Sequence, residues 1–466
     1  MKEDYDLAIV GAGPAGLAAA TVAATNSTRV AVFDEQVEPG GQIFRAIERV
    51  PPDRAELLGP DYRAGRELVA AFRASGADYF PATQVWSLNP RLELGLLHAG
   101  QARMLAARRV LIANGAHERP IPFPGWTLPG VMYAGAAQIL LKSAGLTPED
   151  GVVIAGTGPL LLLLGWQYHR AGVKVQAILE TAPWRNFWRA LPHMPQALLA
   201  HHYVTKGLKL ERYLQRHGVP VYKAVSDLRA VGAEQLQSVV YQHRGRTHSL
   251  DTELLLVQFG LIPQTHLARA AGCEHGWDPA QQCWRTNADA WGKTSVPGIA
   301  VAGDGSSIGG AVAAQHAGAI AGCAALYELG LIGAAERDRL AGDDLKWLRG
   351  DLHIRPFLEA LFRIPHDLVQ QTAGDVVVCR CEEITAGQIR EAVADGHRDP
   401  NQVKFLTRCG MGPCQGRQCN DSVSQLLAAA TGKGIEEMGA YRIRPPVKPL
   451  TLAALAGLNG VEETAE

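Results

Sequence analysis

Between Tyr5 and Thr25 a short apolar run breaks into Gly11-Ala12-Gly13-Pro14-Ala15-Gly16 and then resumes with helical character from Leu17. No other feature constrains the fold as tightly. Tyr5 to Val10 reads as a buried parallel strand. Gly11 permits the tight turn that follows, Gly13 lets the backbone approach a pyrophosphate, and Gly16 allows helix and strand to pack closely. Pro14 and Ala15 complete the loop, and the helix N-terminus presents free N–H groups to phosphates. A second strand, Arg29 to Phe33, ends in Asp34-Glu35. A carboxylate at that strand end accepts hydrogen bonds from ribose hydroxyls, with Asp34 at the usual spacing and Glu35 beside it. The order strand, glycines, helix, strand, acid predicts a Rossmann-like dinucleotide site.

Four later segments select FAD over NAD. Gly40-Gly41-Gln42 resembles the GG segment of two-dinucleotide-domain flavoproteins of the glutathione-reductase type. Val85 sits where such proteins place a backbone contact to adenine. The strand Arg109 to Ala113 enters Asn114-Gly115-Ala116, which resembles the family's ATGA segment with asparagine in place of threonine. Gly303-Asp304 follows another strand, and the resemblance assigns that aspartate to the ribityl chain. A glycine- and alanine-rich helix begins near Gly310, with its positive dipole end toward the flavin or pyrophosphate.

A second loop, Gly156-Thr157-Gly158-Pro159-Leu160-Leu161, follows the strand Val152 to Ala155. Leu161 replaces the third glycine and is expected to crowd the helix–strand contact. Glu180 ends the next strand and could hold a ribose. The expectation is a second Rossmann-like domain whose altered loop argues against NAD(P). The first 272 residues contain no cysteine, so the redox-active pair of a disulfide reductase is missing from the span where it would lie.

Five of the eight cysteines fall between Cys379 and Cys419, a clustering that points to a metal site rather than a disulfide scaffold. Cys379-Arg380-Cys381 ends a strand, and Thr385 is placed to cap the helix that follows. Cys409 and Cys414 form a CxxxxC pair with Gly410 and Gly412 between them. Four thiolates suit iron–sulfur or structural zinc. The segment resembles the bacterioferritin-associated ferredoxin domain. That resemblance implies a [2Fe-2S] cluster held by Cys379, Cys381, Cys409 and Cys414, with Cys419 a neighbour rather than a ligand. Cys273 and Cys283 read as packing thiols.

Charge adds exclusions. Lys plus Arg is 45 and Asp plus Glu is 46, so nothing favours nucleic acid. No run approaches the roughly 18–20 apolar residues that span a bilayer. The acidic start, Met1 to Asp6, does not read as a signal peptide, so the expected location is cytoplasmic, with peripheral docking at the inner membrane left open.

With these residues in place, the chain resembles end to end the FAD-binding subunit of bacterial opine oxidases, hydroxyproline dehydrogenases and hydrogen cyanide synthase. Glu118-Arg119-Pro120, Phe123 to Val131, Arg408 to Arg417 and Arg444-Pro445-Pro446 carry the match. The resemblance implies an α/β fold with two Rossmann-like domains and a small helical [2Fe-2S] domain. It also implies an amino-acid-oxidase-like partner subunit that oxidises an amine C–N bond, a final electron acceptor such as a quinone, and room for an FMN at the subunit interface. No catalytic acid or base is assigned in this chain. The expected layout is an FAD domain in two pieces, 1–120 and 286–330, and an inserted second domain at 121–285. A helical connector (331–374), a cluster domain (375–434) and a tail (435–466) follow. The competing functions are a stand-alone NAD(P)H-dependent reductase and a non-enzymatic redox sensor.

Overall fold

The computed structural model describes residues 5–365 and 367–458. Strand β1 (Tyr5–Val10) is apolar along nearly its whole length, as a strand covered on both faces must be. It pairs in parallel with β2 (Val30–Phe33) and with Gln101–Ile112. Asp78–Phe80 extends the sheet beyond β2, and Ile299–Val301 pairs with the far end of Gln101–Ile112. An antiparallel meander, Thr83–Leu88 and Glu93–His98, hangs from that long strand. Helix α1 (Pro14–Ala24) lies against the helix Ala311–Glu328. Only small residues permit this approach: a Cβ on Gly318 would lie 2.0 Å from the Ala15 carbonyl oxygen.

The second sheet is parallel throughout, in the order Val221–Lys223, Val175–Glu180, Val152–Thr157, Leu255–Phe259, Val131–Tyr133. The chain crosses between the two sheets through an antiparallel pair, Ala116–Glu118 with Leu261–Pro263. It rejoins the first domain earlier than the expected Thr286. Leu267, Ala268, Ala271 and Cys273 already share the core that contains Tyr5, Ala8 and Val10. The short helix His266–Ala270, which carries Leu267 and Ala268, packs on the strand Thr83–Leu88, so burial draws the chain back near Gln264.

The cysteine-rich segment is not a satellite. Val376, Val378, Ile389 and Leu426 share one core with Val153, Leu179 and Phe259 of the second sheet. Trp126 Nε1 donates to the Val377 carbonyl at 2.7 Å and ties the two together. Helix Ala386–Ala394 begins behind a capping box of Thr385 and Gln388. In the connector, the helix Ala334–Leu352 packs on Ala311–Glu328. The tail then runs back over the first domain, with Val447 N–H donating to the Trp86 carbonyl at 2.8 Å. Residues 459–466 of the expected tail and residues 1–4 lie outside the described residues.

Candidate functional site

The loop after β1 has no room for a side chain at Gly11 or Gly16. Gly11 has φ +107°, and a Cβ there would lie 2.4 Å from the Ala113 carbonyl oxygen. A Cβ on Gly16 would lie 1.8 Å from the Gly11 carbonyl oxygen. Gly40 N–H donates to the Ala12 carbonyl at 2.8 Å, and a Cβ on Gly41 would come within 2.9 Å of Gly13 Cα. The GG segment is therefore the outer wall of this loop. Ala12 N–H donates to Asp34 Oδ2 at 2.6 Å and Gln36 N–H to Oδ1 at 2.7 Å, while burial raises the Asp34 pKa. Glu35, expected beside Asp34 at a ribose, instead pairs with Lys448 of the tail.

Gly11, Gly13, Asp34, Glu35 and Gly41 line a cavity of about 700 Å³, and Ala12, Gly16 and Gly40 lie behind that lining. Val85, Ala113, Asn114, Gly115 and Asp304 all face it. Asp304 Oδ1 accepts from Gly309 N–H (2.8 Å) and Gly310 N–H (2.9 Å), at the start of Ala311–Glu328. Gly303 is held against Ala15, where a Cβ would meet the alanine side chain at 2.8 Å. Asn114 Nδ2 donates to the Gln264 carbonyl at 3.1 Å, leaving a buried Oδ1 with no donor. Lys142 is 3% exposed, donates to the Gln42 carbonyl at 3.1 Å and is pushed down to about 7 by burial. A glycine-lined loop ahead of a helix N-terminus, with the buried Lys142 amine beside it, fits a bound dinucleotide. His316, on the helix that begins at this site, turns away and bonds Asp344 Oδ1 at 2.6 Å.

The cavity reaches the second loop at Thr157 to Leu160. Leu161 does not crowd it. The side chain is 1% exposed and belongs to the core that also holds Ile154, Leu164 and Ile178. Glu180 is already engaged. Ala182 N–H donates to its Oε1 at 3.0 Å, and burial pushes it up to about 7. The connector, which no sequence motif marks as part of a site, covers the mouth between the two domains. Gln282 exchanges two 3.0 Å hydrogen bonds with the Ile364 backbone, and Asn186 Nδ2 donates to the Arg363 carbonyl at 2.7 Å.

The thiols group differently from expectation. The Sγ atoms of Cys379, Cys409 and Cys419 all lie within 4.8 Å of one another and are buried. Cys381 is exposed, Cys414 is half-buried, and their thiols meet beside the trio. Cys419 is thus inside the group rather than a bystander. It leads into the helix Asn420–Thr431, and burial of Val423, Leu426 and Leu427 carries it inward. Gly410 N–H donates to Cys379 Sγ at 3.4 Å. The Cys409 and Cys419 thiols and that N–H hold Cys379 well below the ordinary thiol range. Tyr441, unforeseen from the sequence, donates its O–H to Cys409 Sγ at 3.3 Å. A Cβ on either Gly410 or Gly416 would strike its ring at 2.6 Å.

One loop joins the two sites. Between Cys414 and Cys419, the Gln415 carbonyl accepts from His266 Nε2 at 2.9 Å and the Arg417 carbonyl from His117 Nε2 at 3.2 Å. Both histidines line the cavity. Tyr133 O–H donates to Gln418 Oε1 at 3.1 Å, and Arg417 reaches the Cys414 carbonyl (3.3 Å) and the Val447 carbonyl (2.7 Å).

Comparison with known proteins follows the same division. Residues 5–318 match the pyridine nucleotide-disulphide oxidoreductase family, and residues 374–458 match the sarcosine oxidase A3 domain. The chain is 44% identical to the A-type subunit of opine oxidase from Agrobacterium tumefaciens (strain Ach5), over 98% of this chain and 92% of that one. It is 33% identical to the HcnB subunit of hydrogen cyanide synthase from Pseudomonas aeruginosa, over 97% and 98% of the two chains. Among solved structures, L-proline dehydrogenase from P. horikoshii superposes with a TM-score of 0.72 at 20% identity, covering 97% of this chain and 79% of that one.

Proposed function

The chain belongs to the pyridine nucleotide-disulphide oxidoreductase family, alongside the A-type opine oxidase subunits, and from that premise we propose that it is the FAD- and [2Fe-2S]-carrying subunit of an amine dehydrogenase complex. Its relatives are flavin oxidoreductases that act on amine or amino-acid C–N bonds as parts of complexes. In this reading an amino-acid-oxidase-like partner oxidises an amine of the opine or hydroxyproline type, and this chain relays the electrons onward. One observation carries the reading: the Cys414–Cys419 loop and the dinucleotide cavity share a wall, through His117 and His266.

FAD, when bound, exchanges electrons in pairs or singly, and a [2Fe-2S] cluster exchanges them singly. The residues supply the holding. Gly11 to Gly16 and the N-terminus of α1 would cradle the pyrophosphate, Asp34 stands at the ribose end, and Asp304 and Asn114 face the remainder. The five thiols exceed the four that a cluster or a zinc ion uses. On one tetrahedral ion, metal–sulfur bonds of about 2.3 Å place ligand sulfurs about 3.8 Å apart, so the buried trio on its own suits a single ion, whereas a [2Fe-2S] cluster, with two thiolates on each iron, would also need the Cys381–Cys414 side of the group. The connector across the domain mouth favours a relay over an NAD(P)H-fed reductase. Among the described residues no helix is long and apolar enough to cross a membrane.

Anaerobic flavin bleaching tests the proposal. The isolated chain, loaded with FAD, is expected to bleach with dithionite and to stay oxidised with NADH, opines, proline derivatives or glycine. Bleaching by an amine would place the substrate site here and sink the relay. Bleaching by NADH would favour the reductase. Iron and sulfide analysis on the same sample separates [2Fe-2S] from zinc.

A further inference from the structure

The five thiols fall into an outer pair and an inner trio. On the outer side Cys381 and Cys414 meet each other. A Cβ on Gly412, two residues before Cys414, would lie 2.3 Å from Cys381 Cβ, so the loop that carries Cys414 closes directly on Cys381. On the inner side the Sγ atoms of Cys379, Cys409 and Cys419 lie within 4.8 Å of one another, and all three residues are buried. Each iron of a [2Fe-2S] cluster held by four cysteines takes two protein sulfurs beside its bridging sulfides. Sulfurs on one tetrahedral ion stand about 3.8 Å apart, so any two of the inner three are near enough to share an iron. One inner thiol is then surplus.

Hydrogen bonding narrows the choice. Cys379 has a backbone donor of its own, Gly410 N–H at 3.4 Å. Cys409 and Cys419 share one. The Tyr441 hydroxyl oxygen lies 3.3 Å from Cys409 Sγ and 3.9 Å from Cys419 Sγ. A hydroxyl proton rotates to suit its acceptor, so it can support whichever of the two sulfurs is the thiolate.

We propose that Cys419 is an alternate ligand, interchangeable with Cys409 at the inner iron, while Cys379, Cys381 and Cys414 keep fixed positions. The inference rests on the reading that these thiols take [2Fe-2S]. The exchange is redox-neutral. The incoming thiol binds iron as thiolate, and its proton goes to the departing thiolate beside it. The inner side therefore carries a spare ligand and the outer side carries none.

Iron and sulfide analysis of the full chain, with the EPR signal after dithionite reduction, tests this. Full reduction leaves the flavin EPR-silent, so the signal reports the cluster. The native chain is expected to hold about two iron and about two sulfide. Cys409→Ser is expected to keep that content and the native signal, because Cys419 supplies the thiolate. Cys409→Ser combined with Cys419→Ala leaves no inner spare and is expected to lose the native signal. Cys414→Ser, on the outer side, is expected to lose it as a single change. Loss or alteration of the signal in Cys409→Ser alone overturns the proposal, as does a native signal in the double variant. Should Cys409→Ser not fold, Cys409→Ala asks the same question without an oxygen ligand. A retained cluster supports the exchange, and a lost cluster in a chain that still binds FAD overturns it. Zinc, or iron without sulfide, in the native chain overturns the cluster reading, and this inference with it.

Discussion

Tyr441 lies in a stretch without motif, yet its ring fills the space between Gly410 and Gly416 and its hydroxyl reaches Cys409. Tyr441→Ala is expected to cost about 3–5 kcal/mol, as truncation of a buried aromatic does. Tyr441→Phe should keep the packing and lose the O–H donor to sulfur, which metal content and denaturant unfolding can separate. Other single residues set the pH response. Glu118 and Glu180 are both pushed up to about 7 by burial, against about 4.3 for a free glutamate. Between those values the folded chain holds protons that the unfolded chain has shed. The stability this contributes is full below about pH 4 and is lost as pH rises through about 7. His117 and His266 run the other way. Burial lowers them to about 4 and about 3, so their contribution is present above about pH 6.5 and is lost as pH falls toward those values. Melting temperature should therefore fall on both sides of an intermediate pH. Glu118→Gln and Glu180→Gln together should flatten the alkaline side only. An unchanged alkaline slope would show that these carboxyls ionise freely.

At the scale of elements, the two glycine loops teach opposite lessons. Gly16 is an element contact as much as a residue, because its missing side chain sets how closely α1 meets β1. Gly16→Ala would put a methyl 1.8 Å from the Gly11 carbonyl oxygen and force the helix away. Flavin content per chain should drop by more than about tenfold, the equivalent of at least about 1.4 kcal/mol in affinity, with secondary structure retained. The first loop is legible in the sequence because its glycine spacing, Gly11 to Gly16, lies within one short stretch, although Ala113, Gly40 and Gly41 press on it from elsewhere. Leu161 misleads for the same reason. Its position in the pattern says crowding, while its surroundings, Ile154 and Ile178 from two different strands, make it a core residue. Leu161→Gly should then cost about 3–5 kcal/mol from lost packing and helix propensity, and should not create bleaching by NADH. Cys419 follows the same logic. Spacing alone sets it apart from the four thiols in motif, and the buried face of the helix behind it brings its sulfur close to those of Cys379 and Cys409.

Across the whole molecule, what escapes the sequence is what closes over long separations. The tail places Lys448 on Glu35 and Val447 on Trp86, the connector bridges the domain mouth, and the thiol segment shares its core with the second sheet. None of these contacts has a local pattern, because each is defined only when distant segments meet. They also make the tail a strap between the two sites. Tyr441 is fixed at the thiols, and Val447 and Lys448, a few residues on, line the dinucleotide cavity. Order at one end should therefore favour order at the other, and any such coupling acts equally in both directions. Removing the metal with a chelator is expected to weaken FAD binding roughly five- to tenfold, the lower part of the usual coupling range. Tyr441→Ala, with its anchor gone, should bind FAD weakly whether or not metal is present. Flavin fluorescence titrations of native and variant chains, each with and without metal, would measure both effects. Equal affinities for the native chain in the two conditions would mean that the strap carries no coupling and serves only to cover the cavity.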